Sequence, residues 1–248
     1  MNKFGLLLFA VVVCGCMETE ADDTGVASQA VTTAPTFQAA GALASGTGSI
    51  SVSWPTEVTD DVGLLVIETA NQSVSAPAGW LAVANSPQGT GTAGSSTATR
   101  LTVFYKRALS ASEGVVLLPD AGDHIVGQIL TFRGCVNTGF PWDTTAGNVV
   151  STTSTIVSMP SVTTAVDNTL VVGIVANRTD TTSSQTSGYT NSGLTNLIEV
   201  SDRNVTAGNG GGFGVVTGEL AVAGDSLHTV AVLATASVQG RLTIALKP

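Results

Sequence analysis

The chain has 248 residues, 43% of them hydrophobic and only 11% charged, with a formal net charge of −9. That length holds one large all-β domain or two small ones and buries a sizeable core. So acidic a chain, with no basic stripe interleaved with aromatics, excludes nucleic acid as an expected partner.

Lys3 supplies a positive start, and Phe4 to Val13 form an apolar run too short to span a bilayer. The run ends in Val13-Cys14-Gly15-Cys16, which resembles the bacterial lipobox: an aliphatic residue, a variable one, a small one, then cysteine. A small residue must sit directly before the cut, so Gly15 selects Cys16 for acylation, whereas bulky Val13 precedes Cys14. An ordinary secretory signal cut elsewhere is the plainer alternative. Residues 1–15 are therefore expected to be a signal peptide and the membrane a partner through a lipid on Cys16. Met17 stands where an inner-membrane retention signal would put Asp, which favours the outer membrane or cell surface. Once residues 1–15 are gone, Cys135 is the only thiol besides Cys16, so no internal disulfide is expected. Its surroundings (Arg133-Gly134-Cys135-Val136) match no cysteine-hydrolase pattern, and burial as a small apolar side chain is expected.

Residues 16–35 read as an acidic, disordered tether. Glu18, Glu20, Asp22 and Asp23 have no basic neighbour, and small polar residues follow as far as Pro35. Too little apolar surface is present to offset the ordering entropy.

Beyond the tether the sequence repeats once. Ser53-Trp54-Pro55, Asp60-Asp61, Leu64-Leu65-Val66-Ile67 and Ala70-Asn71 recur as Ser158-Met159-Pro160, Asp167-Asn168, Leu170-Val171-Val172-Gly173-Ile174 and Ala176-Asn177, displaced by 105 to 107 residues. Further on, Leu101–Tyr105 corresponds to Phe213–Thr217, and Gln128–Phe132 to Arg241–Ala245. The period is far too long for a solenoid and implies two related halves, 36–143 and 144–248. In the first half, strands are expected at 48–54, 63–69, 80–85, 100–107, 114–118 and 125–132, where Val, Ile, Leu, Thr and aromatics run between Gly, Pro, Asn and Asp. Leu64–Ile67 and Leu170–Val172 are continuous apolar runs, as in strands buried on both faces. No helical period is sustained. The expected fold is all-β: a jelly-roll-like β-sandwich built from two repeated halves. Long polar connections are expected at 86–99, 137–155 and 178–195.

Several landmarks carry a family resemblance. Pro77-Ala78-Gly79-Trp80, Phe104-Tyr105-Lys106-Arg107-Ala108, Phe132-Arg133-Gly134 and Phe140-Pro141-Trp142-Asp143, followed by Pro160–Thr164 and Asp167–Val172, resemble a β-sandwich family of phage virion fibres and exported bacterial proteins. The resemblance covers residues 46–248 and implies fold and surface display, with oligomers open. It carries over no catalytic residue.

Chemistry is sparse. His124 and His228 are the two histidines, both beside β-like segments, and neither has the ligand spacing of a zinc site. No Gly-x-Ser-x-Gly elbow occurs. Asp60-Asp61, Asp120 with Asp123, and Asp143 fall in turn-like sequence, where the side chain bonds its own backbone; calcium in one of these loops stays open. Gly208–Gly214 lacks the Lys-Ser/Thr of a phosphate loop and reads as a turn into the strand from Phe213. Trp54 is expected in the core, while Trp142, in a Pro-flanked connection beside Asp143, is expected as an exposed indole platform with an acceptor next to it. Neither cofactor nor metal is expected. The expected function is a non-enzymatic, surface-displayed lipoprotein for adhesion, envelope structure or ligand binding, its partner a glycan or a surface protein. A carbohydrate-binding module and a hydrolase with an unrecognised site are the alternatives.

Overall fold

Thr36–Ala40 (β1), Ala44–Gly46 (β2), Ile50–Ser53 (β3), Val62–Thr69 (β4), Leu81–Ala82 (β5), Gln88–Thr90 (β6), Thr99–Arg107 (β7), Val115–Leu118 (β8) and Ile125–Arg133 (β9) are the strands of the first half in a computed structural model that describes residues 33–248. Trp142–Met159 (β10), Thr169–Asn177 (β11), Thr186–Thr190 (β12), Thr195–Val205 (β13), Gly211–Leu220 (β14) and Thr229–Leu246 (β15) form the second. The described residues contain no helix. The signal sequence, Cys16 and the tether as far as residue 32 lie outside the described residues. Pro35, placed at the tether's end by sequence, is instead buried beside the start of β1.

The first half lays its main sheet in the order β1-β9-β4-β7-β5, with β2 also on β9 and β6 on β7; the second follows β10-β15-β11-β14-β13, with β12 on β15. The two orders correspond strand for strand. The apolar runs Leu64–Ile67 and Leu170–Ile174 occupy the same central position, β4 between β7 and β9, β11 between β14 and β15. Every ladder is antiparallel, and none of them joins the two halves.

The halves join mainly through side chains, with backbone bonds from Val136 N–H to the Lys247 carbonyl and from Lys247 N–H to the Pro141 carbonyl beside them. Alternate residues of the central strands, Leu64 and Val66 on one side and Val172 and Ile174 on the other, pack with Leu130, Phe132, Phe213 and Leu242 into one shared core. The intervening residues point outward and are covered separately. Leu65 and Ile67 lie beneath the two-stranded β3-β8 sheet, with Ile50, Val52, Trp54 and Trp80. In the second half the cover comes from β10 and β15 themselves. Their register breaks near Val150–Ile156, and the segments beyond it bring Val157, Met159, Ala231 and Leu233 onto Val175 and Val216. Burial on both faces is thus the reason those central runs lack alternation. Close approach also fixes a glycine: a Cβ at Gly63 would fall within 2.6 Å of Cζ3 of Trp54, whose six-membered ring packs against that point of β4.

Several expectations need correcting. The boundary expected at 143/144 falls inside β10, whose start at Trp142 already belongs to the second sheet, and the connections expected at 86–99 and 178–195 carry the short strands β6 and β12. Residues 137–155 are mostly strand rather than loop, because β10 pairs only with β15 and exposes much of its Thr- and Ser-rich length, leaving no apolar alternation to read. The expected strand at 80–85 shrinks to Leu81–Ala82, since Val83 and Asn85 already turn the chain towards β6.

Candidate functional site

The sequence-derived platform is not open. Trp142 is 7% exposed, at the first position of β10, where its ring meets Tyr105 edge-on at 4.7 Å across the seam between halves. Phe140 stacks on the same indole at 5.1 Å, also meets Tyr105 edge-on at 6.3 Å, and is itself 59% exposed. The Pro-flanked segment is a short bridge whose indole plugs the shared core, so Trp142 presents no face to a ligand. Asp143 Oδ2 accepts the backbone N–H of Ala165 at 2.6 Å, a structural tie to the connection before β11. Cys135 is buried, as expected, and burial pushes its thiol up to about 12, which makes it inert as a nucleophile at neutral pH.

The two histidines stand in different halves and have different surroundings. His228 is exposed, its Nδ1 2.9 Å from the Met159 carbonyl. His124 has a fully enclosed side chain between two carboxylates: Nε2 lies 2.8 Å from Glu68 Oε2 and Nδ1 2.7 Å from Asp123 Oδ2. Burial opposes a charge on the ring, but the hydrogen bonds and negative charge of Glu68, then of Asp123, outweigh it and raise the imidazole to about 9. At neutral pH both ring nitrogens therefore carry protons and donate. Glu68 also accepts from Thr99 Oγ1 at 2.7 Å, and burial holds its carboxyl above the usual range despite the pull of His124.

Asp123 extends this cluster across the seam. Its Oδ2 and Oδ1 accept from the backbone N–H and side-chain amide of Asn209, at 2.8 and 2.9 Å. Desolvation pushes Asp123 up, but the bonds from His124 and Asn209 prevail and leave it lowered. The expected turn role for Asp123 gives way to this cross-half clasp, and Gly211 is glycine because a Cβ there would come within 2.7 Å of Glu68 Cδ. Asp120 does make the expected turn bond, accepting from Gly122 N. Asp61 makes its turn bond too, Oδ2 accepting from Val58 N at 2.9 Å, and also forms a bidentate pair with Arg133 at 2.8 Å on each oxygen. One signal of the clasp was present in the sequence: Glu68 is a carboxylate directly after the apolar run Leu64–Ile67, inside β4.

Beside the clasp, loops of both halves surround an open cleft of about 530 Å³. The first half contributes Ser96; the second contributes Arg178 to Thr181, Gln185, Asn209 and Thr235. Local ties hold these loops in place. Asn177 Oδ1 accepts from Thr179 N, Asn204 Nδ2 donates to the Thr179 carbonyl, and Ser237 Oγ accepts from Arg178 N. Asp202 Oδ2 accepts from Gln185 N and Thr186 N at 2.7 and 2.8 Å, although burial keeps its carboxyl raised. Arg178 Nη1 reaches across to the Ser96 carbonyl at 3.0 Å. Two of the long connections singled out in the sequence, 86–99 and 178–195, thus meet at one place. Among the described residues no group of three or more His, Cys, Asp or Glu side chains is arranged to hold a metal. Comparison with protein-family models, curated proteins and solved structures found no match.

Proposed function

We propose that this protein is a non-enzymatic binding module, exported, anchored by lipid at Cys16 and displayed at the outer membrane or cell surface. The observation that carries the binding reading is the cleft, where loops from both halves converge on a rigid sandwich and present polar side chains to solvent. Against a hydrolase stands the enclosure of His124, whose two ring nitrogens are both committed to carboxylates and reach no open surface. The matching strand orders support a duplicated half, and β3-β8 crossing one main sheet while the ends of β10 and β15 cross the other supports a jelly-roll reading of each. This is the architecture implied by the likeness to virion-fibre and exported sandwiches.

The address has its own test. Intact-mass analysis of membrane-extracted protein is expected to give an acylated N-terminal cysteine at position 16. Cys16→Ser is expected to move the protein from the membrane to the soluble fraction. An unmodified mature N-terminus at another position contradicts the anchoring.

A further inference from the structure

We propose that the seam cleft takes a neutral, hydroxyl-rich ligand, a segment of an oligosaccharide; this deepens, and rests on, the binding-module reading. Three polar side chains of the cleft carry buried atoms with no hydrogen-bond partner among the described residues: Arg178 Nε, Thr179 Oγ1 and Gln185 Oε1. Leaving such atoms unpaired is costly, and three of the nine found among the described residues belong to side chains that line this one opening. Gln185 is the clearest of them. It is 5% exposed, and its amide nitrogen donates to the Ser183 and Ser184 carbonyls at 3.2 and 3.1 Å, which fixes the orientation and leaves the buried carbonyl oxygen without a partner. Arg178 is held by its bond to Ser96, with Nε left over as a donor.

The cleft therefore asks for a partner that both gives and accepts hydrogen bonds over a short distance. A hydroxyl does both, which an anion, a metal ion or a hydrocarbon does not. Charge points the same way. Asp180 shares the opening with Arg178, so a free anion meets the carboxylate and a divalent cation meets the guanidinium. The volume is within the range of small-molecule sites, roughly 300–1,000 Å³. Typical sites of that size are lined mainly by apolar groups, whereas hydroxyl, amide and charged side chains dominate here. A polar ligand with many hydroxyls fits that lining.

The test uses the full chain in detergent micelles, titrated calorimetrically with cello-, malto-, manno-, galacto- and N-acetylchito-oligosaccharides, and separately with calcium and with inorganic phosphate. At least one oligosaccharide is expected to bind, with Gln185→Leu and Thr179→Val each weakening it about three- to tenfold. Thr235→Arg, which fills the cleft from an exposed position and leaves the core untouched, is expected to abolish binding while unfolding as the parent does. Oligosaccharide binding unchanged in all three variants puts the sugar site elsewhere and overturns the inference, leaving the binding-module reading in place. Calcium or phosphate binding that Thr235→Arg removes, with no sugar bound, overturns the ligand class alone. Failure of all these probes, together with failure to bind isolated cell envelopes, overturns both.

Discussion

Replacing His124 with leucine is expected to lower the unfolding free energy by about 3–5 kcal/mol, because removing one member of a buried ion cluster strands the others. Glu68 is then left enclosed with only Thr99 donating to it, and Asp123 loses the nearer of its two partners. Urea unfolding at pH 7 followed by tryptophan fluorescence measures the loss. The pH dependence separates charge from packing. Since the folded state raises the imidazole to about 9, its contribution is complete below the unfolded value near 6.5 and fades as pH rises through about 9. That contribution is on the order of 3 kcal/mol. On the acid side, Asp123 is lowered, so its share is present above about 3.8 and is lost as pH falls through its folded value. Glu68 acts in the opposite sense: its raised carboxyl makes ionisation costly, and protonation in acid relieves that cost. The parent is thus expected to lose stability between about pH 6.5 and 9 more steeply than His124→Gln. Equal alkaline slopes for parent and variant would remove the charged-cluster assignment.

Phe132→Ala and Phe213→Ala are each expected to cost about 3–5 kcal/mol, through lost burial and the cavity left behind. Both rings are fully buried, one on β9 and one on β14, in the core that the two halves fill jointly. Because that core is common, each variant is expected to keep a single cooperative transition at a lower denaturant midpoint. Were the halves independent, truncation in one would split the curve into two steps, one of them at the parent midpoint. Calorimetric and van't Hoff enthalpies of unfolding decide between these outcomes, agreeing for one unit and diverging for two.

The repeat was the most legible feature of the sequence. Its displacement of 105 to 107 residues aligned Leu64–Ile67 with Leu170–Ile174, and these runs are the equivalent central strands. Burial on both faces leaves continuous apolar sequence, which is easily recognised at any distance. Strands with little burial leave no such trace. β1 and β2 are short edge pieces on β9, and the exposed length of β10 is written in Thr, Ser and Gly like a loop. Trp142 was misplaced for a related reason: Pro141 beside it signals a turn, but whether an indole at a turn faces solvent or a second layer depends on the partner half, here Tyr105. The clasp was hidden by distance, since Glu68 and His124 lie 56 residues apart and Asp123 and Asn209 lie 86 apart. Adjacent sequence identifies a titratable residue but says nothing of the strand that will cover it. The cleft was half legible. The polar connections at 86–99 and 178–195 were visible as display loops, yet their meeting depends on how the two sheets face each other.

Binding at the loop end of a rigid sandwich, without turnover, is most directly tested by hydrogen–deuterium exchange on the full chain, with and without a saturating bound oligosaccharide, followed by mass analysis of that oligosaccharide. The expected result is slowed exchange at 92–97, 178–185 and 206–210, unchanged exchange in the central strands β4 and β11, and the sugar recovered intact. Protection confined to other surfaces, or cleavage of the oligosaccharide that His124→Gln abolishes, would contradict it.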